Sequence, residues 1–305
     1  MNLVFLNCMK HWIQAARLRT LPLSLSGIIV GSFLAAEKEM FRWDICILAL
    51  LTTVGFQVLS NFANDYGDGV KGTDNEHRIG PERALQSGVI TPKQMLKGMY
   101  ITIGVTLVIA LLLIFTAFGK ENYLMSFVFF LLGLASIAAA IKYTVGKKAY
   151  GYSGLGDVFV FLFFGLLAVV GTEFLYTQQV SWLSFLPAIT VGFFSTAVLN
   201  LNNLRDRASD ILAHKNTLVV KLGTRKAKIY HYFLIVGGMT TVVWYKAFHP
   251  GTVAGFLFVI AFLPLIKHLI TVLHNQEPVL LDPELKKVAL STFLFAILFG
   301  LGLII

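Results

Sequence analysis

Nine apolar stretches divide the chain, near residues 20–36, 43–65, 95–118, 122–141, 154–176, 182–204, 229–248, 251–273 and 287–305. Most approach the length of about 20 residues that an α-helix needs to cross a hydrocarbon core. The first is short, and the amphipathic segment before it supplies extra length. Only Gly119-Lys120-Glu121 separates the third stretch from the fourth, and His249-Pro250 separates the seventh from the eighth. Links that tight predict antiparallel neighbours. The pattern predicts an all-α polytopic membrane protein, a bundle of nine transmembrane helices forming a single domain over residues 1–305.

The polar segments between the stretches alternate in length and charge. Lys38, Arg42, Lys120 and Lys246 fall at one set of ends, and the other 21 of the 25 Lys and Arg fall at the opposite set. Positive loops stay in the cytoplasm. The N-terminus and the long loops near 66–94, 142–153, 205–228 and 274–286 are therefore expected to be cytoplasmic, and the C-terminus outside. An odd number of spans agrees with that split.

Composition narrows the class further. The chain is 56% hydrophobic and 13% charged, which excludes an ordinary soluble domain. Its net charge of +9 would suggest nucleic acid in a soluble protein. Here the cations sit in short loops, so topology accounts for them and no nucleic-acid partner is expected. Basic loops also favour anionic lipid heads and a diphosphate. Cys8 and Cys46 have neither metal-site nor disulfide-framework spacing. The stretch Leu21–Ala36 ends in Leu34-Ala35-Ala36-Glu37, which loosely mimics a cleavage site, but it reads as an uncleaved first span.

Two acidic clusters break this apolar background. One reads Asn61-Phe62-Ala63-Asn64-Asp65-Tyr66-Gly67-Asp68 and continues to Asp74; the other runs from Asn202 through Asp206 to Asp210. Both end an even-numbered stretch, the second and the sixth, on the same predicted side. Carboxylates are expensive near a bilayer and are kept there for ions or substrates. At about 100° per helical residue, Asn61, Asp65 and Asp68 lie within about 60° of one another, with Asn64 beside them. Gly67, Gly69 and Gly72 are expected to end that helix and let backbone approach a ligand. Asn202, Asp206 and Asp210 follow i, i+4, i+8 spacing and form a second stripe. Arg205 and Arg207 either neutralise these acids or serve a ligand. Two facing groups of hard oxygen ligands suit Mg²⁺, which binds through a few carboxylates and substrate phosphates. An enzyme acting on a diphosphate at a membrane surface follows.

Other polar residues gather on that side. Lys215 follows the second cluster and is a candidate phosphate contact. Arg78 and Arg83 lie beyond the first, with His77 beside them, and Arg17 and Arg19 precede the first span. Either these arginines reach an acidic substrate or they only set topology. The segment from Lys142 to Asp157 is rich in Gly, Tyr and Lys and suits a flexible lid. Its Tyr143 and Tyr150 suit either an aromatic acceptor or anchoring at the membrane interface, and Asp157 either orients an acceptor, acts as a base or is simply an acid at a helix start.

These motifs resemble the UbiA-type membrane prenyltransferase superfamily. The resemblance rests on Asn64-Asp65-Tyr66-Gly67-Asp68-Gly69-Val70-Lys71-Gly72-Thr73-Asp74, Arg78-Ile79-Gly80-Pro81 and Gly88-Val89-Ile90-Thr91. Asn202-Asn203-Leu204-Arg205-Asp206, Lys215 with Thr217-Leu218, and Arg19-Thr20-Leu21-Pro22 extend it. It covers nearly the whole chain in segment order and is nearest the branch that uses 1,4-dihydroxy-2-naphthoate. That branch carries Pro and Glu where this chain has Gly146-Lys147-Lys148 and Asp157, so the acceptor contacts are the part least carried over.

The resemblance implies nine helices in a bacterial inner membrane. It implies a polyprenyl diphosphate donor held by two Mg²⁺ ions on Asn61, Asn64, Asp65, Asp68, Asp206 and Asp210. Around the donor and acceptor it implies Arg19, Lys71, Asp74, Arg78, Arg83, Tyr143, Tyr150, Asp157, Asn202 and Lys215. The implied reaction joins the prenyl group to the naphthoate ring with loss of CO₂ and gives demethylmenaquinone. Acceptors such as 4-hydroxybenzoate, homogentisate or haem B stay open within the superfamily. Outside it, Asp65-Tyr66-Gly67-Asp68-Gly69 begins like a CDP-alcohol phosphotransferase signature, but the later residues of that signature do not follow. A cation-coupled transporter is the non-enzymatic alternative, and it predicts acids near the bilayer midplane rather than at helix ends.

Overall fold

A computed structural model describes residues 3–73, 83–146 and 148–305, with side chains from Met9 onward. Asp74, His77 and Arg78 lie outside the described residues, as does Lys147. Every regular element among the described residues is helical. In chain order the main helices are α1 (Leu3–Ala16), α2 (Leu21–Glu37), α3 (Trp43–Lys71), α4 (Pro92–Phe118) and α5 (Tyr123–Lys142). They continue with α6 (Gly156–Thr177), α7 (Phe185–Arg205), α8 (Arg207–Leu212), α9 (Leu218–Phe248), α10 (Val253–His274) and α11 (Asp282–Ile304). Eight helices among the described residues are long and apolar enough to cross a membrane.

The amphipathic lead-in does lengthen the first span. A short turn over Leu18–Thr20 joins α1 to α2, and the apolar stretch reads continuously over Met9–Glu37. Trp12 packs edge-on against Phe62, 5.3 Å between centroids, so α1 lies on α3. Arg17 sits at that joint with φ 49°, a left-handed conformation uncommon outside glycine.

The seventh stretch begins earlier than its hydropathy suggests. The helix α9 starts at Leu218, and Gly223 at φ 74° kinks it. It is not among the eight, because Tyr230, His231, Tyr232, Thr240 and Thr241 dilute its apolar run. Two other spans depart from regular α geometry. Phe161–Gly171 within α6 is π-helical, and Val253–Ala261 at the start of α10 is a 3₁₀ helix.

The first acidic cluster differs in one respect from expectation. The helix α3 runs through it to Lys71, so Gly67 and Gly69 do not end it. Only Gly72, at φ 67°, terminates the helix, as a left-handed C-cap. Gly67 and Gly69 instead permit close packing. A Cβ on Gly67 would lie 2.5 Å from Thr144 Oγ1, and one on Gly69 would lie 2.4 Å from Leu85 Cδ2.

Packing follows the small residues. A Cβ on Gly165 of α6 would sit 2.6 Å from the Gly192 Cα of α7, so those two backbones nearly touch. One apolar core centres on Phe194, Phe258 and Phe295, where α7, α10 and α11 meet; Phe194 and Phe295 pack edge-to-face at 5.8 Å. A second, around Leu59, Phe62 and Met95, joins α1, α3 and α4. The helix α4 begins with a capping box in which Thr91 and Gln94 satisfy each other's backbone N–H. Of the α5 residues, only Ile137 is buried, which leaves α5 the most loosely held of the long helices.

Candidate active site

The C-terminal turns of α3 carry Asp65 and Asp68 on one face, as helical spacing dictates. Both are almost fully buried, at 1% and 2% exposure. Burying a carboxylate costs several kcal/mol unless cations and donors replace its water. Three cations do so. The Arg17 guanidinium hydrogen-bonds Asp65 Oδ1. Arg83 Nη1 donates to Asp68 Oδ2 at 2.5 Å and to the Asn64 carbonyl at 3.0 Å, and its Nε lies 3.7 Å from Asp65 Oδ1. Lys215 Nζ lies 3.1 Å from Asp68 Oδ1. The Tyr152 hydroxyl also donates to Asp68 Oδ1. Burial, together with the Asp68 carboxylate, holds that phenol above its ordinary range, so it stays a donor.

The second cluster adjoins the first. The helix α7 ends at Arg205, Asp206 forms the joint, and α8 starts at Arg207. The helical pitch nevertheless persists, since the Asp206 and Asp210 amides bond the carbonyls of Asn202 and Asp206 at 3.0 and 2.9 Å. The predicted stripe is therefore real. Arg205 neutralises part of it: Nε and Nη2 grip the two Asp206 oxygens at 2.8 and 2.7 Å, and Nη2 also reaches Asn202 Oδ1 at 2.9 Å. Its Nη1 bonds Asp282, at the start of α11. Lys215 links the two clusters, because its own amide donates to the Asp210 carbonyl at 2.8 Å.

The remaining predicted residues divide. Asn61 gives its amide nitrogen to the Ala16 carbonyl at 2.8 Å and to Thr20 Oγ1 at 3.3 Å, fastening α1 to α3. Asn64 Oδ1 accepts from Thr144 Oγ1 at 3.3 Å. Lys71 Nζ donates to the Thr144 carbonyl at 2.7 Å and lies 4.0 Å over the Tyr152 ring. Arg19 is exposed. Asp157 is buried between α6 and α7 with its Oδ1 lacking a hydrogen bond, off the wall of the cavity described next.

A cavity of about 350 Å³ opens beside the acids. Asn61, Asn64, Tyr143 and Tyr150 line its polar end; Ile28, Leu113 and Leu175 line its depth. Tyr150 is fixed there by stacking on Phe159 at 4.0 Å and by donating to the Ala139 carbonyl at 2.8 Å. The expected lid is pinned as well: Gly151 N bonds the Tyr143 carbonyl at 3.0 Å, and Asn216 N bonds that of Tyr152 at 3.0 Å.

Among the described residues, no three His, Cys, Asp or Glu converge tightly enough to hold an ion alone. Mg²⁺ takes one or two carboxylates and draws its other ligands from water and phosphate. Paired carboxylates ringed by Arg and Lys therefore fit an ion that arrives with a phosphorylated ligand. The adjacent apolar cavity fits a ligand with a hydrocarbon part. Sequence reasoning missed Tyr152 and Asp282, whose roles depend on contacts between distant segments. It named Arg17 but favoured its neighbour Arg19.

The UbiA prenyltransferase family matches residues 24–280. The 1,4-dihydroxy-2-naphthoate octaprenyltransferase of Haemophilus influenzae is 45% identical over 97% of this chain and 96% of its own. Its counterpart from Escherichia coli is 42% identical over 96% and 95%. A structure of a UbiA homolog from Archaeoglobus fulgidus, bound to GPP and Mg²⁺, superimposes with a TM-score of 0.62 at 15% identity, covering 95% of this chain and 99% of that one. A digeranylgeranylglyceryl phosphate synthase superimposes at 0.62 and 16% identity, covering 98% and 99%. At such identities the two structures speak for the fold, and the full-length relatives and family match speak for descent: the chain belongs to the UbiA prenyltransferase family.

Proposed function

We propose that this protein transfers a polyprenyl group from polyprenyl diphosphate to 1,4-dihydroxy-2-naphthoate, releasing diphosphate and CO₂. The product is demethylmenaquinone, formed as its quinol, which places the enzyme in menaquinone biosynthesis. The carrying observation is the nearly full-length likeness to two naphthoate octaprenyltransferases. The acid–cation arrangement around Lys215 is what such a donor requires.

Asp65 and Asp68 would hold one Mg²⁺ and Asp206 and Asp210 a second, with Asn61, Asn64 and Asn202 at the margins. Bound with the diphosphate, the ions would neutralise its charge. Arg17, Arg83 and Lys215 pair with the acids of α3 and are placed to turn to phosphate oxygens as those acids take up ions. The allylic C–O bond then breaks, with its electron pair leaving on diphosphate. The electron-rich ring attacks the allylic cation, and the ring carboxyl leaves as CO₂. The apolar depth of the cavity keeps water from quenching the cation. Tyr143 and Tyr150 present aromatic surface to the acceptor at the polar end. The Asp157 carboxylate lies outside the cavity wall and hydrogen-bonds Tyr230 of α9, so it would hold α6 in place rather than touch the acceptor.

The whole chain acts as one domain. With α9 counted, nine helices cross the bacterial inner membrane, N-terminus and acidic clusters on the cytoplasmic side. The excess of Lys and Arg on that side supports this orientation.

Purified protein with Mg²⁺ and a polyprenyl diphosphate, offered 1,4-dihydroxy-2-naphthoate, 4-hydroxybenzoate and homogentisate in parallel, tests the proposal. Prenylated naphthoquinone with CO₂ release is expected. Product from another acceptor alone would keep the family and reject the naphthoate.

A further inference from the structure

One face of α3 is polar where its surroundings are not. Thr53, Gln57, Ser60 and Asn64 follow one another at spacings of four, three and four residues, which puts them on one side of the helix. All four line the site cavity, whose depth around them is made of Ile28, Leu113, Ile114 and Leu175. A polar group facing hydrocarbon costs free energy unless a partner meets it. A polyprenyl tail carries no such partner, so this face suits the other, polar ligand.

Most hydroxyls on the cavity wall are spent on backbone. Thr52 donates to the Leu48 carbonyl at 2.8 Å, Ser136 to that of Leu132 at 2.8 Å and Ser24 to that of Leu21 at 3.1 Å. Gln57 differs. Its amide nitrogen donates to Thr20 Oγ1 at 3.1 Å and to Asn61 Oδ1 at 3.4 Å, which commits both N–H groups. The residue is 9% exposed, and its Oε1 accepts nothing among the described residues. Tyr143 is the counterpart on the same cavity: its hydroxyl makes no hydrogen bond among the described residues, whereas that of Tyr150 is taken by Ala139. Burial, with Asp157 nearby, holds the Tyr143 phenol above its ordinary range, so it keeps a proton to donate.

We infer that Gln57 Oε1 accepts a hydrogen bond from a ring hydroxyl of the aromatic acceptor, and that the Tyr143 hydroxyl donates to a second ring oxygen. This deepens the naphthoate reading above and rests on it. The ring must reach the allylic carbon, which adjoins the diphosphate and hence the acids. Thr144 Oγ1 donates to the Ala63 carbonyl at 2.9 Å, so its neighbour Tyr143 stands level with the acid-bearing turns. Gln57 stands about 9 Å deeper than Ala63 along the helix axis. A ring with para hydroxyls and a hydrogen bond of about 2.8 Å at each end has a length of that order. Gln57 thus selects a hydroxyl donor at the inner end of the ring, because an oxygen without a proton would leave Oε1 unmet.

The test is discrimination between acceptors. The unaltered protein, Gln57→Leu, Tyr143→Phe and Thr20→Val are assayed with Mg²⁺ and a polyprenyl diphosphate. KM is measured for 1,4-dihydroxy-2-naphthoate, and Ki against it for 1-hydroxy-2-naphthoate and 4-hydroxy-2-naphthoate, each lacking one ring hydroxyl. In the unaltered protein one of these analogues should be held about tenfold more weakly than the naphthoate, the scale of one neutral hydrogen bond. Gln57→Leu should remove that gap and raise KM for the naphthoate about tenfold, with KM for the donor unchanged. Tyr143→Phe should raise KM for the naphthoate as well, and an unchanged value would contradict its part. Thr20 joins Gln57 to the Arg17 carbonyl but does not line the cavity, so Thr20→Val disturbs the joint alone and should keep the gap. No gap in the unaltered protein, a gap that survives Gln57→Leu, or one that Thr20→Val removes equally would overturn the inference and leave the naphthoate reading intact. An unaltered protein that neither uses nor binds the naphthoate would sink both.

Discussion

Lys215 Nζ lies 3.1 Å from Asp68 Oδ1, although the two residues stand on separate acidic clusters. Its backbone amide meanwhile caps the Asp210 carbonyl. One loop lysine therefore holds the end of α3 against the joint of α7 and α8. It sets the spacing between the two sets of carboxylates that, in the proposed reaction, would share one diphosphate.

Replacing Lys215 with Met should lower kcat/KM for the donor by about 10²-fold, the scale for losing one charge-stabilising donor. Lys215→Arg should recover part of it. Steady-state kinetics with the donor varied checks both variants, and circular dichroism should show unchanged helix content.

Gly67 sits where the Thr144 side chain crosses α3. Thr144 Oγ1 donates to the Ala63 carbonyl at 2.9 Å, and a Cβ on Gly67 would lie within 2.8 Å of the Thr144 backbone. Gly67→Val should therefore destabilise the protein by about 1–3 kcal/mol, as overpacking does. Thermal unfolding in detergent measures this; Gly72→Ala, strained but with open space around it, serves as the comparison.

Much of this was written in the sequence. Apolar run lengths located the spans, and helical periodicity placed Asp65 with Asp68 and Asp206 with Asp210, because both depend only on local spacing. Partners were less legible. Arg17 rather than Arg19 meets Asp65 because the chain turns left-handed at Arg17, and no local pattern announces such a turn. Tyr152 looked like its neighbours Tyr143 and Tyr150, yet it alone of the three reaches Asp68. Gly67 and Gly69 read as breakers, while the helix kept them for close packing.

A buried polar chain lies outside the site. His231 and His268 meet through their Nε2 atoms at 2.7 Å, and His268 Nδ1 reaches Glu284 Oε2 at 2.6 Å. All three are at most 5% exposed. His268→Ala would leave His231 and Glu284 short of partners and should cost about 3 kcal/mol. Thermal unfolding should fall accordingly, while KM for both substrates, measured well below the transition, should hold.

Metal removal separates folding from chemistry. Because Arg17, Arg83, Lys215 and Arg205 already pair the acids, chelation by EDTA should leave the unfolding temperature of the ligand-free protein nearly unchanged. It should abolish turnover, with recovery on adding Mg²⁺. Mg²⁺ and donor together should raise the unfolding temperature, as ligands of the folded state do.

The most direct test of the two-cluster site is binding of the unreactive analogue farnesyl thiolodiphosphate, by calorimetry with and without Mg²⁺, to the protein and to Asp65→Asn and Asp206→Asn. Mg²⁺-dependent binding is expected, weakened at least tenfold by either substitution, the effect of about 1.4 kcal/mol. If either variant bound the analogue as tightly as the unaltered protein, the two clusters would not share one diphosphate and the account would be wrong.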